Sequence, residues 1–126
     1  MICAVGLDVV EVPRVERVIA RWGEAFLGRV FTAAELRHVG ASPSVAQRLA
    51  GRFAAKEAVM KALGTGWRGV AWREIEIEND ALGNPLVRLT GRAAEAALRR
   101  GIGSWAVSIS HTRDLATAVV IAECPG

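Results

Sequence analysis

The sequence predicts an α+β fold, in which a small, mostly antiparallel sheet packs on one long helix and several short helices. Three observations predict this class. Met1–Val10 is an apolar run of strand length, Ser44–Gly64 carries a helix-start signal and a long Ala-rich stretch, and short alternating segments joined by turn residues follow residue 72. Together these observations predict four or five strands, mostly antiparallel, packed on one long helix and several short helices.

The first strand is expected to end near Val10 and to lead directly into a helix. Pro13 suits the first turn of a helix, and an apolar stripe extends that helix to about Arg21. Gly23 ends it, and Glu24–Val30 is expected to form one further short helix.

Two capping-box patterns predict the next helices. Thr32-Ala-Ala-Glu35 begins a short helix that should end near Val39, and Ala41–Pro43 is expected to be a loop. Ser44-Val-Ala-Gln47 then begins the main helix, which ends at Gly64 and should be about 30 Å long.

The remainder of the chain is expected to be mainly strands. Trp72–Glu78 alternates in the manner of an antiparallel strand, and Gly83-Asn-Pro85 is a strong turn signal. The other expected elements are a strand at Leu86–Leu89, a helix at Gly91–Arg100, and a hairpin of Trp105–Ser110 with Leu115–Glu123 around His111–Asp114.

Length and charge limit the function classes. The 126 residues are expected to form one domain, residues 1–126, and the net charge is +3. Of the 16 basic residues 14 are Arg, which suits bidentate contact with phosphate and carboxylate. An anionic partner is one explanation of this balance, whether nucleic acid, a phosphorylated cofactor or an acidic protein, and genomic composition is the other. The basic residues are not interleaved with stacking aromatics as in single-strand binders.

The sequence favours the cytoplasm. Met1–Leu7 is apolar but lacks a basic lead-in, and Asp8 interrupts it. The longest uncharged stretch, Gly101–Thr112, is far shorter than a membrane helix, so no membrane partner is expected. Cys3 and Cys124 are expected to be reduced core cysteines, with a disulfide as the alternative.

Three segments could carry chemistry. Asp8 ends an apolar strand, where it could cap a helix, pair with an Arg or bind a metal ion. Glu57 and Lys61 are spaced i, i+4 on one helix face, as in an ordinary surface ion pair, but Arg52 and Lys56 share that Ala-rich helix. Gly64 and Gly66 follow, where backbone N–H groups can approach a phosphate. Ser110 and His111 end a strand; such a histidine is either structural or part of a site.

Together these segments resemble the holo-[acyl-carrier-protein] synthases, the short, stand-alone class of 4′-phosphopantetheinyl transferases. The resemblance rests on Gly6-Leu-Asp8, on Arg52-Phe-Ala-Ala-Lys-Glu-Ala with Lys61 and Gly64-Thr-Gly66, and on Ser108-Ile-Ser-His111. It extends over essentially the whole chain, and the long-helix motif is the most specific part.

The resemblance implies transfer of 4′-phosphopantetheine from coenzyme A to a serine of apo acyl carrier protein, in support of fatty acid biosynthesis. It implies that Asp8 and Glu57 hold Mg²⁺, that Asp8, Glu57 and Lys61 are catalytic, and that Glu57 or a metal-bound water accepts the serine proton. The residues implied to bind coenzyme A are Arg52, Gly64, Gly66, Ser110 and His111.

The resemblance also implies partners. The expected assembly is a homotrimer with active sites at subunit interfaces, and an acidic acyl carrier protein is expected to dock on Arg14, Arg17 and Arg21, with Arg14 outside the phosphate cleft. The alternatives are a non-catalytic module that docks carrier proteins, and a small basic nucleic-acid binder. The interspersed acidic residues argue against the second alternative, so no nucleic-acid partner is expected.

Overall fold

Five α-helices and five β-strands are present in the part of the chain that the computed structural model describes, residues 1–41, 43–66 and 68–126. The predicted loop at residues 41–43 is therefore described except for Ser42. The strands are β1 (Ile2–Glu11), β2 (Ile75–Asn79), β3 (Pro85–Leu89), β4 (Ser104–His111) and β5 (Leu115–Glu123). The helices are α1 (Val12–Trp22), α2 (Glu24–Val30), α3 (Ala33–Val39), α4 (Val45–Leu63) and α5 (Gly91–Arg99).

The strands divide between two antiparallel sheets. The larger sheet has the order β1-β5-β4, with Asp8 opposite Ala118 and His111 opposite Ala116, and the smaller is the β2–β3 hairpin. The predicted α+β class is confirmed, with two small sheets in place of one. No helix of the described residues is both long and apolar enough to cross a bilayer.

Helix α4 lies against the larger sheet, and two glycines allow close approach. A Cβ atom on Gly6 of β1 would lie 1.9 Å from the carbonyl oxygen of Ala58 in α4. A Cβ atom on Gly51 of α4 would lie 2.7 Å from a methyl group of Ile109 in β4. Gly6 is therefore limited to glycine by contact with helix backbone, which explains the first residue of the Gly6-Leu-Asp8 motif, whereas at Gly51 the side chain of Ile109 would have to move.

A buried ion pair joins α3, α4 and β2. The Lys56 ammonium lies 2.7 Å from Glu35, and neither side chain is exposed. Lys56 also donates hydrogen bonds to the carbonyl oxygens of Trp72 and Ile75. Glu35 completes the predicted capping box with Thr32 and accepts a hydrogen bond from the Ile77 amide at 3.0 Å. Lys56 is thus a structural residue, and it does not join Arg52 and Lys61 in one basic cluster.

Two sequence-based expectations about local structure are wrong. Residues Trp72–Glu74 form a 3₁₀ turn, and the strand begins at Ile75. The Trp72 ring stacks on Phe53 with 4.9 Å between centroids, so tertiary contact overrides the alternating pattern there.

The second wrong expectation concerns the cysteines. Cys3 and Cys124 form a disulfide that joins the start of β1 to the residue after β5. Cys3 is exposed and Cys124 is half-buried, so neither is a core residue. The sequence places these residues far apart, and only the antiparallel pairing of β1 with β5 brings them together.

Candidate active site

Asp8, Glu57 and Lys61 come together where β1 passes α4. Strand alternation puts Asp8 on the same sheet face as Gly6, which contacts α4, and the i, i+4 spacing puts Glu57 and Lys61 on one side of that helix. The Lys61 ammonium donates hydrogen bonds to Asp8 Oδ1 and to the Leu7 carbonyl oxygen, each at 2.9 Å. The structure therefore brings together the three residues predicted to be catalytic.

The carboxylates of Asp8 and Glu57 are only partly compensated. Asp8 Oδ2 is buried and has no hydrogen-bond partner among the described residues. Burial raises the pKa of Glu57 to about 7, with a further contribution from the Asp8 carboxylate, while Lys61 and Arg14 act in the opposite direction. Two carboxylates at about 4 Å repel by about 4 kcal/mol at an effective dielectric near 20.

A divalent cation fits this arrangement. It would satisfy the unpartnered Asp8 oxygen and remove the repulsion between Asp8 and Glu57. Among the described residues no three or more His, Cys, Asp or Glu side chains are grouped to hold a metal ion. A site with two protein carboxylates suits Mg²⁺, which completes its shell with water and substrate phosphate.

Asp8 and Glu57 lie in a cavity of about 400 Å³. Several other residues that line this cavity were not predicted from the sequence. Glu11 and Arg14 line it from the end of β1 and the start of α1, and Phe26 and Phe53 give it an apolar wall. The expectation that Arg14 lies outside the phosphate cleft is therefore wrong. Arg14 lies in the first turn of α1, which follows β1 directly, and its positive charge acts to lower the pKa of Glu57.

Arg52 and His111 line a second cavity, of about 350 Å³. His38, Arg48 and Asn79 complete its polar lining. The first and second cavities share no lining residue, because Arg52 and Glu57 are five positions apart and point to different sides of α4. Arg48 lies one turn before Arg52, and this spacing was the signal in the sequence that could have identified it.

The remaining predicted residues lie outside the second cavity. Ser110 faces away from α4, because it alternates along β4 with Ile109 and His111, which line that cavity. Gly64 ends α4 with a positive φ of 75°, and the Arg100 guanidinium, which donates a hydrogen bond to the Leu63 carbonyl oxygen, lies against it. Gly66 also has a positive φ, of 58°, and open space beside it.

Comparison with known proteins identifies the family. A family model described as the 4′-phosphopantetheinyl transferase superfamily matches residues 4–120. The chain belongs to the 4′-phosphopantetheinyl transferase superfamily. It is 51% identical over 117 residues to the holo-[acyl-carrier-protein] synthase of Gloeobacter violaceus, covering 92% of this chain and 89% of that protein.

Solved structures agree with this assignment. The crystal structure of holo-[acyl-carrier-protein] synthase from Neisseria meningitidis superposes with a TM-score of 0.88 at 40% identity, over 98% of this chain and 99% of that one. The Helicobacter pylori enzyme in complex with coenzyme A superposes with a TM-score of 0.84 at 31% identity, over 94% and 99% of the two chains.

For this phosphopantetheinyl transferase, the family, the fold class and the enzyme class predicted from the sequence are confirmed. The enzyme class is thereby favoured over a docking module or a nucleic-acid binder. The individual site residues remain predictions; Asp8 and Glu57 line the first cavity, and Arg52 and His111 line the second.

Proposed function

We propose that residues 1–126 act as one holo-[acyl-carrier-protein] synthase domain, which transfers 4′-phosphopantetheine from coenzyme A to a serine of apo acyl carrier protein in the cytoplasm, in support of fatty acid biosynthesis. The observation that carries this proposal is the meeting of Asp8, Glu57 and Lys61 where β1 passes α4, with an unpartnered carboxylate oxygen at Asp8. Relatives with this name and a related structure in complex with coenzyme A support it.

In the proposed reaction the serine oxygen forms a bond to the β-phosphorus of coenzyme A. The bond from that phosphorus to the oxygen bridging the two phosphates breaks, and adenosine 3′,5′-bisphosphate leaves. The serine proton passes to Glu57 or to solvent. Catalysis of this kind depends on positioning and on neutralising charge on the phosphates.

Each of the predicted site residues except Ser110 has a part in this proposal. Asp8 and Glu57 would hold Mg²⁺, which supplies neutralising charge for the pyrophosphate when bound. Lys61, oriented by Asp8 and by the Leu7 carbonyl oxygen, points an ammonium group towards the phosphates and stabilises the leaving oxygen. Arg52 and His111 hold the 3′-phosphate of the nucleotide in the second cavity, and Gly64 and Gly66 allow the backbone to line the groove.

We expect a homotrimer in which adjacent subunits complete each site. The two cavities share no lining residue within one chain, and a globule of 126 residues offers little room for one groove that would hold the whole of coenzyme A. The outer face of the larger sheet offers an apolar surface for assembly. Val5, Leu7 and Val9 of β1 are each 57–58% exposed there, beside Val119 and Ile121 of β5.

Sedimentation tests the assembly. Wild-type protein should sediment as a trimer. Val5→Asp should sediment as a monomer and lose transfer activity, since it places a charge in the apolar face. Leu98→Asp is the matched control, because Leu98 is 79% exposed on α5, away from that face. A wild-type monomer with full activity would rule out shared sites.

The acidic carrier protein is proposed to dock on α1. Arg14, Arg17 and Arg21 are all exposed on one side of that helix. Because Arg14 also lines the first cavity, Arg17→Glu is the cleaner test of docking. It should raise the KM for carrier protein and leave the KM for coenzyme A unchanged, and added salt should weaken wild-type transfer. Equal changes in both KM values would contradict this docking surface.

Release of adenosine 3′,5′-bisphosphate, measured by chromatography, tests the site itself. Asp8→Asn and Glu57→Gln should each lower kcat by about two orders of magnitude or more. Each substitution removes a negative charge that would hold the cation, and the cation would neutralise charge on the pyrophosphate. Glu16→Gln on α1 is the matched control for loss of one carboxylate, and it should retain wild-type turnover. Near wild-type kcat for Asp8→Asn at low Mg²⁺ would show that the site is misassigned.

A further inference from the structure

The second cavity differs in charge from its surroundings. His38 of α3, Arg48 and Arg52 of α4 and His111 of β4 supply its basic groups, and no carboxylate is among its described lining residues. The adjacent cavity, which His38 also lines, contains Glu35, Glu76 and Glu78. A strongly basic pocket beside an acidic one favours an anion in the first and not in the second.

Arg52 lies buried in the wall of this cavity with one donor atom unsatisfied. The residue is only 7% exposed, and its Nη2 donates a hydrogen bond to Asn79 Oδ1 at 2.6 Å. Its Nε is buried without a hydrogen-bond partner among the described residues. A buried guanidinium N–H without an acceptor is costly, and a phosphate oxygen is the acceptor whose geometry a guanidinium fits best.

His38 stands on the wall of the same cavity, with charged groups around it. Arg48 and Arg52 face it from α4, and His111 faces it from β4. On its other side the acidic groups already have partners. Glu35 pairs with Lys56, Glu78 pairs with Arg88 at 3.2 Å, and Glu76 accepts a hydrogen bond from Thr32 Oγ1 at 2.6 Å.

Without a ligand, these surroundings disfavour the imidazolium form of His38. Partial desolvation lowers the pKa of His38, and the positive charges of Arg52 and Arg48 lower it further. A phosphate dianion in the cavity would reverse the sign of the local field. The neutral imidazole would then gain a proton and become a further donor to the phosphate oxygens.

We propose that His38 is a specificity-determining ligand of the phosphate group that occupies the Arg52 cavity, and that it takes up a proton when this phosphate binds. The proposal rests on the proposed function, in which the cavity holds the 3′-phosphate of coenzyme A. It adds a residue that the sequence motifs do not contain. It also makes selection for a 3′-phosphorylated nucleotide sensitive to pH near neutrality.

Imidazole NMR offers a direct test, because the chain contains only two histidines, His38 and His111. The resonances are assigned with His38→Asn and His111→Asn, and both histidines are titrated with and without adenosine 3′,5′-bisphosphate. Bound nucleotide should raise the pKa of His38 by about one unit. By linkage, the nucleotide should then bind about tenfold more weakly at pH values above the titration of His38 than at pH values below it. Adenosine 5′-phosphate, which lacks the 3′-phosphate, should leave this pKa unchanged.

Calorimetry with the same nucleotide supplies the controls. His38→Asn should bind it about fivefold to tenfold more weakly at pH 6 and should show a flatter pH dependence than wild type. Titration of the ligand phosphate itself near pH 6 is common to all variants and cancels in the comparison. Arg37→Gln removes a positive charge from the neighbouring position outside the cavity, and it should bind as wild type does.

The outcomes separate this inference from the function on which it rests. If Arg52→Ala loses affinity while the pKa of wild-type His38 does not move on binding, the nucleotide site holds and the role of His38 is refuted. If Arg37→Gln weakens binding as much as His38→Asn, the effect is general electrostatics and the inference also fails. If Arg52→Ala binds the nucleotide as wild type does, the proposed nucleotide site and the inference fall together.

Discussion

Gly6→Ala is the substitution for which the structure gives the clearest magnitude. The new Cβ atom would lie 1.9 Å from the carbonyl oxygen of Ala58 and 2.7 Å from its carbonyl carbon. Cβ atoms essentially never approach another atom closer than 3.0 Å, so β1 and α4 would have to separate by about 1.1 Å. The contact is with helix backbone, which cannot rotate away as a side chain can.

Overpacking of this kind costs about 1–3 kcal/mol, and a clash with backbone belongs at the upper end of that range. For a chain of this length, a loss of about 3 kcal/mol lowers Tm by roughly 10 °C. The displacement also moves Asp8, two residues further along β1, away from Glu57 and Lys61. We therefore expect transfer activity to fall by more than the unfolded fraction explains.

Two matched glycines make this experiment decisive. A Cβ atom added to Gly28 in α2 would have no neighbour within 4 Å, so Gly28→Ala should stabilise the protein by about 0.5–1 kcal/mol through helix propensity. The Cβ atom of Gly51→Ala would meet only a methyl group of Ile109, which can move, so the Tm of this variant should lie between those of Gly6→Ala and Gly28→Ala. The assay is thermal denaturation with transfer rates measured well below Tm. A Tm for Gly6→Ala within about 2 °C of wild type would refute the close packing of β1 on α4.

The remaining predictions concern charge and covalent closure. Because the folded-state pKa of Glu57 is about 7, above its ordinary value of 4.5, the stability of metal-free protein should fall as pH rises through this window. Thermal melts in EDTA should show this fall in wild type and not in Glu57→Gln; an identical pH dependence in both would contradict the raised pKa. Lys56→Met should destabilise by about 3–5 kcal/mol because it leaves Glu35 charged and buried, whereas Lys56→Met with Glu35→Leu should recover much of the loss in urea denaturation. An additive double variant would mean that the pair is not coupled. Cys3→Ser should lower stability by up to about 4.7 kcal/mol under oxidising conditions and by nothing measurable in reductant, since the disulfide closes a loop of more than 100 residues. A loss that persists in reductant would assign the effect to the serine itself.

Local signals in this sequence were sufficient for most of the fold. The capping box at Thr32 and Glu35 begins α3 as predicted, and Gly64 ends α4 as predicted. Such signals involve residues within one turn of each other, so the sequence itself contains all the groups that interact. Trp72 shows where this fails, because its contact with Phe53 is not local.

The candidate site depended on long-range contact, so the residues alone predicted less of it. Asp8 and Glu57 are 49 positions apart, and only the family resemblance predicted that they meet. The buried ion pair of Lys56 and the placement of Arg14 could not be predicted for the same reason. A cation on an Ala-rich helix has no visible partner in the sequence, and the position of Arg14 depends on how α1 turns back on β1.

Mass spectrometry of the carrier protein tests the central claim most directly. Apo acyl carrier protein is incubated with this chain, coenzyme A and Mg²⁺, and its intact mass is compared with that of a sample containing Asp8→Asn. We expect the carrier to gain the mass of one phosphopantetheine group on its serine with the wild-type chain and to remain apo with the variant. A carrier that remains apo with folded wild-type chain, yet is modified by another phosphopantetheinyl transferase, would contradict the account.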